Sequence, residues 1–488
     1  MRNFDWLLDG TIIGFYLALV VGVGLWLRRF VRGLDDFLLA GRRVDIYLGI
    51  ASLAATEFGI ATCMANAELG YRYGFAGITP GIALATAMFI VGMTGFCINR
   101  LRQQEVVTLP ELFEQKFGPH VRWAGALVIV LGGLLNMGVF LRQAGEFLSI
   151  VLGLDLQYLT WTLTIILILI VLYTVVGGML SVIVTDYIQF IFMGLGLVAT
   201  VVLVVMTLGW GKMTVTVQNE LGPTGMNPFV GSGYGWDRIV FDFLVSFASV
   251  LTWQTMLSRV LSAKDSVTGQ KIYTRTAPFF IVRFLLPAVL GIGALHYFTG
   301  LSGVSVTPTT AMPQMLSALV PVGLFGLLIA AMLAADMSTN SSYMLAWSSV
   351  IFNDLMRPIH RGQWTSRRSI SMNRILVMFV GLFLLIYGLW YPVRGDLWTY
   401  MQVTGTVYLA SMSVLLIAVC YWKNANDWGA IAAIITGAAL PIAFLIMQQF
   451  PSGQALVSSI GTYKIGIMTY LMTGVAMISG SWIKNKWR

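Results

Sequence analysis

Residues 328–355 read LIAAMLAADMSTNSSYMLAWSSVIFNDL. The run is too long and too apolar for a surface helix. A bilayer core takes about 20 helical residues, and this stretch exceeds that before a charged segment follows. Asp336, Ser338, Thr339, Asn340, Ser341 and Ser342 sit in its middle. On a helix, positions i, i+3 and i+4 share a face. Ala335, Ser338, Thr339 and Ser342 therefore form one narrow stripe, with Ser341 beside it. Small and hydroxylated residues line close helix crossings in membranes. Hydroxyl oxygens are also hard ligands for a small cation, which takes several oxygens from hydroxyls, carbonyls or a carboxylate. The spacing admits both readings.

The surrounding composition fixes the medium. Of 488 residues, 57% are hydrophobic and 10% charged, against about 25% charged in a soluble domain. The chain is an integral membrane protein. Its formal charge of +9 is no sign of nucleic-acid binding, because the basic residues lie between apolar runs. Cys63, Cys97 and Cys420 are in or beside such runs and offer neither a disulfide framework nor metal spacing. The first apolar run lacks a basic leader and a clear processing site, so it is expected to stay as a span.

Thirteen apolar spans are expected: 10–27, 47–66, 76–98, 123–150, 158–176, 184–208, 239–258, 277–299, 322–352, 374–391, 397–421, 428–447 and 464–483. Basic residues concentrate in alternate loops. Arg28, Arg29, Arg32, Arg42 and Arg43 follow the first span; Arg357, Arg361, Arg367 and Arg368 follow the ninth; Lys484, Lys486 and Arg488 close the chain. The opposite loops hold few, among them Arg2, Arg72 and Arg394. Positive charge marks the cytoplasmic side, which puts the N-terminus outside and the C-terminus inside.

Ionisable residues within spans are costly and usually functional. Glu57 lies in a glycine-containing second span; unwinding near Ala55 to Gly59 would free carbonyls for an ion. A structural hydrogen bond to a neighbouring helix is the other reading of Glu57. Asp186 opens the sixth span, as an ion or proton handle or as the partner of a basic loop residue. Arg142 and Glu146 are spaced for an internal salt bridge, unless Arg142 faces a cavity. Arg283 is read as snorkelling from a cytoplasmic end or as a solute contact. The seventh span carries Trp253, Gln254, Thr255 and Ser258, with Arg259 at its cytoplasmic exit. Tyr408 belongs to the only polar face of the eleventh. Residues 108–118 read as an interfacial helix capped by Thr108, with Pro110 at its start and Glu111 completing a capping box. The cluster at 35–43 anchors an interface or locks a cytoplasmic gate. His120, His296 and His360 are dispersed, and no enzyme motif is evident.

Four stretches, DDFLLAGRR (35–43), GGMLSVIVTDYIQ (177–189), WQTMLSRVLSAKD (253–265) and PVGLFGLLIAAMLAADMSTNSS (321–342), occur in order. Together they make the chain resemble the sodium:solute symporter family over nearly its whole length. The resemblance implies an all-α integral membrane protein with an inverted five-plus-five helix repeat, broken helices (APC/LeuT-like) and 13 transmembrane helices. Residues 1–46 would form a peripheral helix and loop, 47–208 the first repeat, 209–236 an external loop, 237–421 the second repeat and 422–488 two peripheral helices. It implies a principal sodium site of the Ala55, Phe58 and Ala335 carbonyls with the Ser338 and Thr339 hydroxyls. A second site would use Asp186, Ser338, Ser341 and Ser342, so one or two Na+ ions are expected. The expected activity is sodium-coupled import of a small organic solute, anionic or zwitterionic, by alternating access. Proton coupling through Asp336, Glu57 or Asp186, and a ligand sensor on the same fold, are the alternatives. Glu57, Thr62, Trp253, Gln254, Thr255, Arg142, Arg283 and Tyr408 are the expected solute contacts, with coupling through Glu57, Asp186 and Asp336. Asp336 departs from the family's usual uncharged residue. The expected partners are solute, sodium and lipid, with no nucleic acid, and a monomer in the plasma membrane.

Overall fold

Backbone polar groups in a bilayer have no water to bond, so apolar spans satisfy them internally as helices. The computed structural model describes residues 4–31, 33–230, 234–301, 306–359, 364–391 and 396–487, and it is helical nearly throughout. Arg2, Arg32, His360, Arg361, Arg394 and Arg488 lie outside the described residues. Eleven described helical stretches are long and apolar enough to cross a membrane, where thirteen spans were expected. The difference comes from how helices run on or break. Leu159–Leu208 is one 50-residue run that as a straight rod would measure about 75 Å. It breaks at Gly178 (φ 56°, ψ −155°), between the two spans expected there. Ile46–Glu57 is only 12 residues long, too short to cross alone.

Burial sorts the helices into centre and rim. In the stretch Leu324–Met356, 89% of the most apolar window is buried, and in Leu397–Tyr421 83%. The corresponding share is 22% in Leu8–Phe30 and 28% in Thr462–Lys486, whose outward side chains, such as Phe15 and Leu471, are exposed as lipid-facing groups should be. The stretch Leu324–Met356 is thus the axis of the molecule. It packs against the helix 159–208, Leu8–Leu27 and both halves of the second span.

Three local expectations need correction. The connection 209–236 is not a bare loop: Trp210–Met226 is helical, kinked at Gly222, and buries Met213 and Val217 one turn apart against Val289 and Ile292. Pro308–Leu319 is a further helix that the sequence reading did not anticipate. The interfacial helix forms as Leu109–Phe117, but Thr108 does not cap it. Its hydroxyl instead accepts a hydrogen bond from Asn353 Nδ2 (3.2 Å), and Glu111 alone reaches back, to Val107 N (2.8 Å).

A knot ties the segment before the second span to the end of the seventh. Val44 N donates to Ser262 O (3.1 Å) and Lys264 N to Val44 O (3.2 Å). Arg102 donates twice to Ala263 O, and Arg42 donates to Glu105 O and Leu261 O. Burial pushes the Arg42 guanidinium below its ordinary range. Ala40, Gly41 and Arg42 all have positive φ (49°, 64° and 55°), a backbone that non-glycine residues adopt at a cost.

Candidate functional site

Two helices are interrupted where they meet the axis. Ile46–Glu57 starts at an Asp45 cap and ends at Phe58 (φ −107°, ψ 68°); the chain resumes as Ile60–Tyr73 after Gly59. The break falls inside the interval expected to unwind. An interrupted helix leaves carbonyls of its last turn without intrahelical donors. Phe58 N closes weakly on Ala55 O at 3.3 Å. The Thr56 carbonyl accepts instead from the Thr339 hydroxyl across the interface, at 2.8 Å. The approach is close: a Cβ on Gly59 would stand 2.7 Å from Thr339 Oγ1 and 3.0 Å from Thr339 Cβ. Ala55, Phe58, Ala335, Ser338, Thr339, Ser341 and Ser342 are all buried. Among the described residues no three of His, Cys, Asp and Glu converge on a metal position. Carbonyls and hydroxyls are the donors on offer at the break, and that donor set suits sodium rather than a transition metal.

Asp186 reaches the same axis from the helix 159–208. Its Oδ1 accepts from Ser338 Oγ (2.5 Å) and its Oδ2 from Ser52 Oγ (2.6 Å). Oδ2 also lies 3.1 Å from Arg259 Nη2, and both side chains are fully buried. That guanidinium donates further to Ser342 Oγ (2.6 Å) and Thr56 Oγ1 (2.5 Å), and through Nε to Ser52 Oγ (3.1 Å). Arg259 is therefore a buried, paired residue and not one that faces solvent. The seventh span breaks just before it, at Trp253 (φ −66°, ψ 115°), between Trp236–Thr252 and Gln254–Ser262. Ser341 Oγ bonds within its own helix, to Ser338 O (3.0 Å). Asp336 bonds within its own helix. Its Oδ1 accepts from Asn340 Nδ2 one turn on (2.7 Å), and its Oδ2 has no hydrogen-bond partner among the described residues.

Beside the two breaks is a cavity of about 70 Å³. Glu57, Thr62, Trp253 and Arg283 line it, as do Asn136, Phe140, Ser246, Ser249, Tyr343, Trp398 and Gln402. Arg283 does not snorkel. It is buried, with Nη1 3.9 Å from Glu57 Oε2 and Nη2 donating to Thr62 Oγ1 (3.3 Å). Thr255 reaches the cavity through Glu57, donating to Oε1 at 2.7 Å. Tyr408 reaches it through Trp253, with stacked rings 5.5 Å apart, and Trp253 Nε1 donates to Tyr343 OH (2.8 Å). Gln254 is buried but off the wall, and so is the partly exposed Arg142, which is held by Glu146 (2.7 Å) and by Gly388 O (3.2 Å). Asn136, Phe140, Tyr343, Gln402, Ser246 and Ser249 were not anticipated. For the two serines a signal existed: Asp242, Ser246, Ser249 and Trp253 follow i, i+4, i+7, i+11 spacing, a polar stripe on an apolar helix.

The model of the sodium:solute symporter family matches residues 37–437. The high-affinity choline transporter 1 of Torpedo marmorata is 29% identical over 483 residues, covering 91% of this chain and 78% of that protein. The sodium/proline symporter 2 of Staphylococcus saprophyticus is 25% identical over 448 residues, covering 88% and 84%. A sodium-coupled sialic acid symporter, solved in a substrate-bound outward-open state, superposes with a TM-score of 0.84 at 18% identity, covering 98% of each chain.

Proposed function

The chain belongs to the sodium:solute symporter family, and on that premise we propose that one sodium ion bridges the break at Phe58–Gly59 and the hydroxyl stripe of Leu324–Val350. Membership makes it a sodium-coupled secondary transporter of a small organic solute that works by alternating access, a multi-pass protein of the cell membrane. The ligands we assign are the carbonyls of Ala55, Phe58 and Ala335 and the hydroxyls of Ser338 and Thr339. The observation that carries this reading is the Thr339 hydroxyl lying 2.8 Å from the Thr56 carbonyl across the break. A cation there would tie the broken helix to the axis in one state and release it in another. Solute would occupy the neighbouring cavity, and Glu57, which borders both, would couple them.

The count of one ion rests on Arg259. Its guanidinium occupies the donors that a second ion would need, Asp186 and Ser342, and supplies their counter-charge. The topology we favour has thirteen crossings, with Gly178 separating the fifth from the sixth, inverted repeats at 47–208 and 237–421, and the N-terminus outside. A break in the first helix of each half, at Phe58 and at Trp253, supports the repeat. Ser338→Ala or Thr339→Ala in proteoliposomes should raise the sodium concentration for half-maximal uptake by about tenfold, the effect of losing roughly 1.4 kcal/mol of binding. Saturable solute uptake indifferent to sodium and to both substitutions would refute the site.

A further inference from the structure

We propose that the solute is a small zwitterion, a cationic nitrogen and a carboxylate on a compact apolar body, with the nitrogen at Glu57 and the carboxylate at Arg283. The proposal rests on reading the cavity as the solute site. Glu57 and Arg283 are the only charged residues on the described wall. At 3.9 Å they attract one another but are too far apart to hydrogen-bond. Arg283 Nε and Nη1 are buried and donate to nothing among the described residues. A buried guanidinium with idle donors is costly, and its planar fork matches a carboxylate. Glu57 keeps one oxygen on Thr255 and turns the other toward Arg283. Around them stand Phe140, Trp253, Tyr343 and Trp398, aromatic faces that favour a cationic nitrogen.

The other solute classes fit worse. A net cation would add a second positive charge beside Arg283, and a net anion a second negative charge beside Glu57, in walls that carry no other charge among the described residues. A neutral polyol would leave both charges unanswered. Of the wall amides, the nitrogens of Asn136 and Gln402 already donate, to Met401 O (2.6 Å) and to Asp242 (2.6 Å), while Gln402 Oε1 is left without a partner among the described residues. A cavity of about 70 Å³ flanked by Leu84, Met256, Met401 and Leu409 leaves room for a methylated or small apolar body, not for a long chain.

The test uses the purified full chain. Thermal shifts with and without sodium would be read for a panel of small α-amino acids and betaines, and for choline, pyruvate and D-glucose, followed by uptake of each hit into proteoliposomes. A zwitterion should be the stabilising and accumulating class. Glu57→Gln and Arg283→Gln should each weaken it tenfold or more, and Arg283→Lys less. The residual charge should redirect selectivity, so Arg283→Gln gains choline binding and Glu57→Gln gains pyruvate binding. Size-exclusion profiles report whether each variant folds, and the unmodified protein's panel decides the class even where one does not. Stabilisation by choline, pyruvate or glucose in place of every zwitterion overturns the class while leaving sodium coupling intact. Zwitterion uptake indifferent to sodium keeps the class and removes the coupling. A panel without any hit removes the cavity as solute site, and the class with it.

Discussion

Gly59 shows how much of this site depends on a missing methyl group. Its backbone (φ −81°, ψ 167°) is open to any residue, so conformation does not demand glycine there; Thr339, 2.7 Å from where a Cβ would stand, does. Overpacking of this kind costs about 1–3 kcal/mol. Gly59→Ala should therefore push the axis off the break and weaken apparent sodium affinity by roughly 5–100-fold without removing a ligand. Unchanged sodium activation in that variant would detach the Thr339 contact from ion binding. Asp336 is a second test at this scale. Asparagine can still accept from Asn340, so Asp336→Asn should preserve folding and sodium-driven uptake at acid and neutral pH alike. Loss of uptake driven by an imposed pH gradient would instead place a coupling proton on Asp336. The stripe, Glu57 and Asp186 were legible in the sequence because charge and hydroxyls stand out against hydrocarbon. The partners of Arg259 and Arg283 were not. Each lies near a span boundary, where snorkelling is the default, and only the fold shows both buried.

Among helices, Ile60–Tyr73 and Ser266–Thr299 cross with glycine against backbone on both sides. A Cβ on Gly70 would lie 2.2 Å from Ala288 O, and one on Gly291 1.9 Å from Ala67 O. Backbone cannot give way as a flexible side chain can. Gly291→Ala should cost about 1–3 kcal/mol and lower the melting temperature by several degrees, although alanine is the better helix former by about 1 kcal/mol. Gly194→Ala is the matched control: nothing lies within 4 Å of its Cβ position, so it should be neutral or stabilising. Equal melting temperatures for the two variants would contradict the crossing. The two broken helices differ in how visible they are. The first carries a glycine at its break, a readable signal. The second breaks at Thr252–Trp253–Gln254 with no glycine or proline, held open by the indole bond to Tyr343 and the stack on Tyr408. Contacts 90 or more residues distant in sequence leave no trace in local propensity. The helix Trp210–Met226 was missed for the converse reason: its glycines read as a loop, while Met213 and Val217 find an apolar surface that only the tertiary fold supplies.

At the scale of the whole molecule, the single-ion proposal drawn from the buried Asp186–Arg259 pair implies how much work one cycle can do. A carrier that moves one Na+ with a net-neutral solute moves one charge per solute. At −100 mV that charge supplies about 2.3 kcal/mol, and a tenfold sodium gradient about 1.4 kcal/mol. The total of about 3.7 kcal/mol supports roughly 500-fold accumulation, whereas two ions would support more than 10⁵-fold. Arg259 and Asp186 are both fully buried and share Ser52 and Thr56, and in the single-ion proposal the fixed guanidinium takes the place of a movable cation. In voltage-clamped proteoliposomes the ratio of charge to solute should be one, and the reversal potential should shift with sodium and with solute by equal amounts. Arg259→Gln opens the converse case. It leaves Asp186 without a counter-charge, a state in which a buried carboxylate recruits a cation or loses its own charge. A variant that still folds should show a steeper sodium dependence, with a Hill coefficient rising from near one toward two, or should lose uptake as Asp186 is neutralised. A charge-to-solute ratio of two in the unmodified protein would mean that Arg259 leaves its place during the cycle, and the single-ion reading would fall with it.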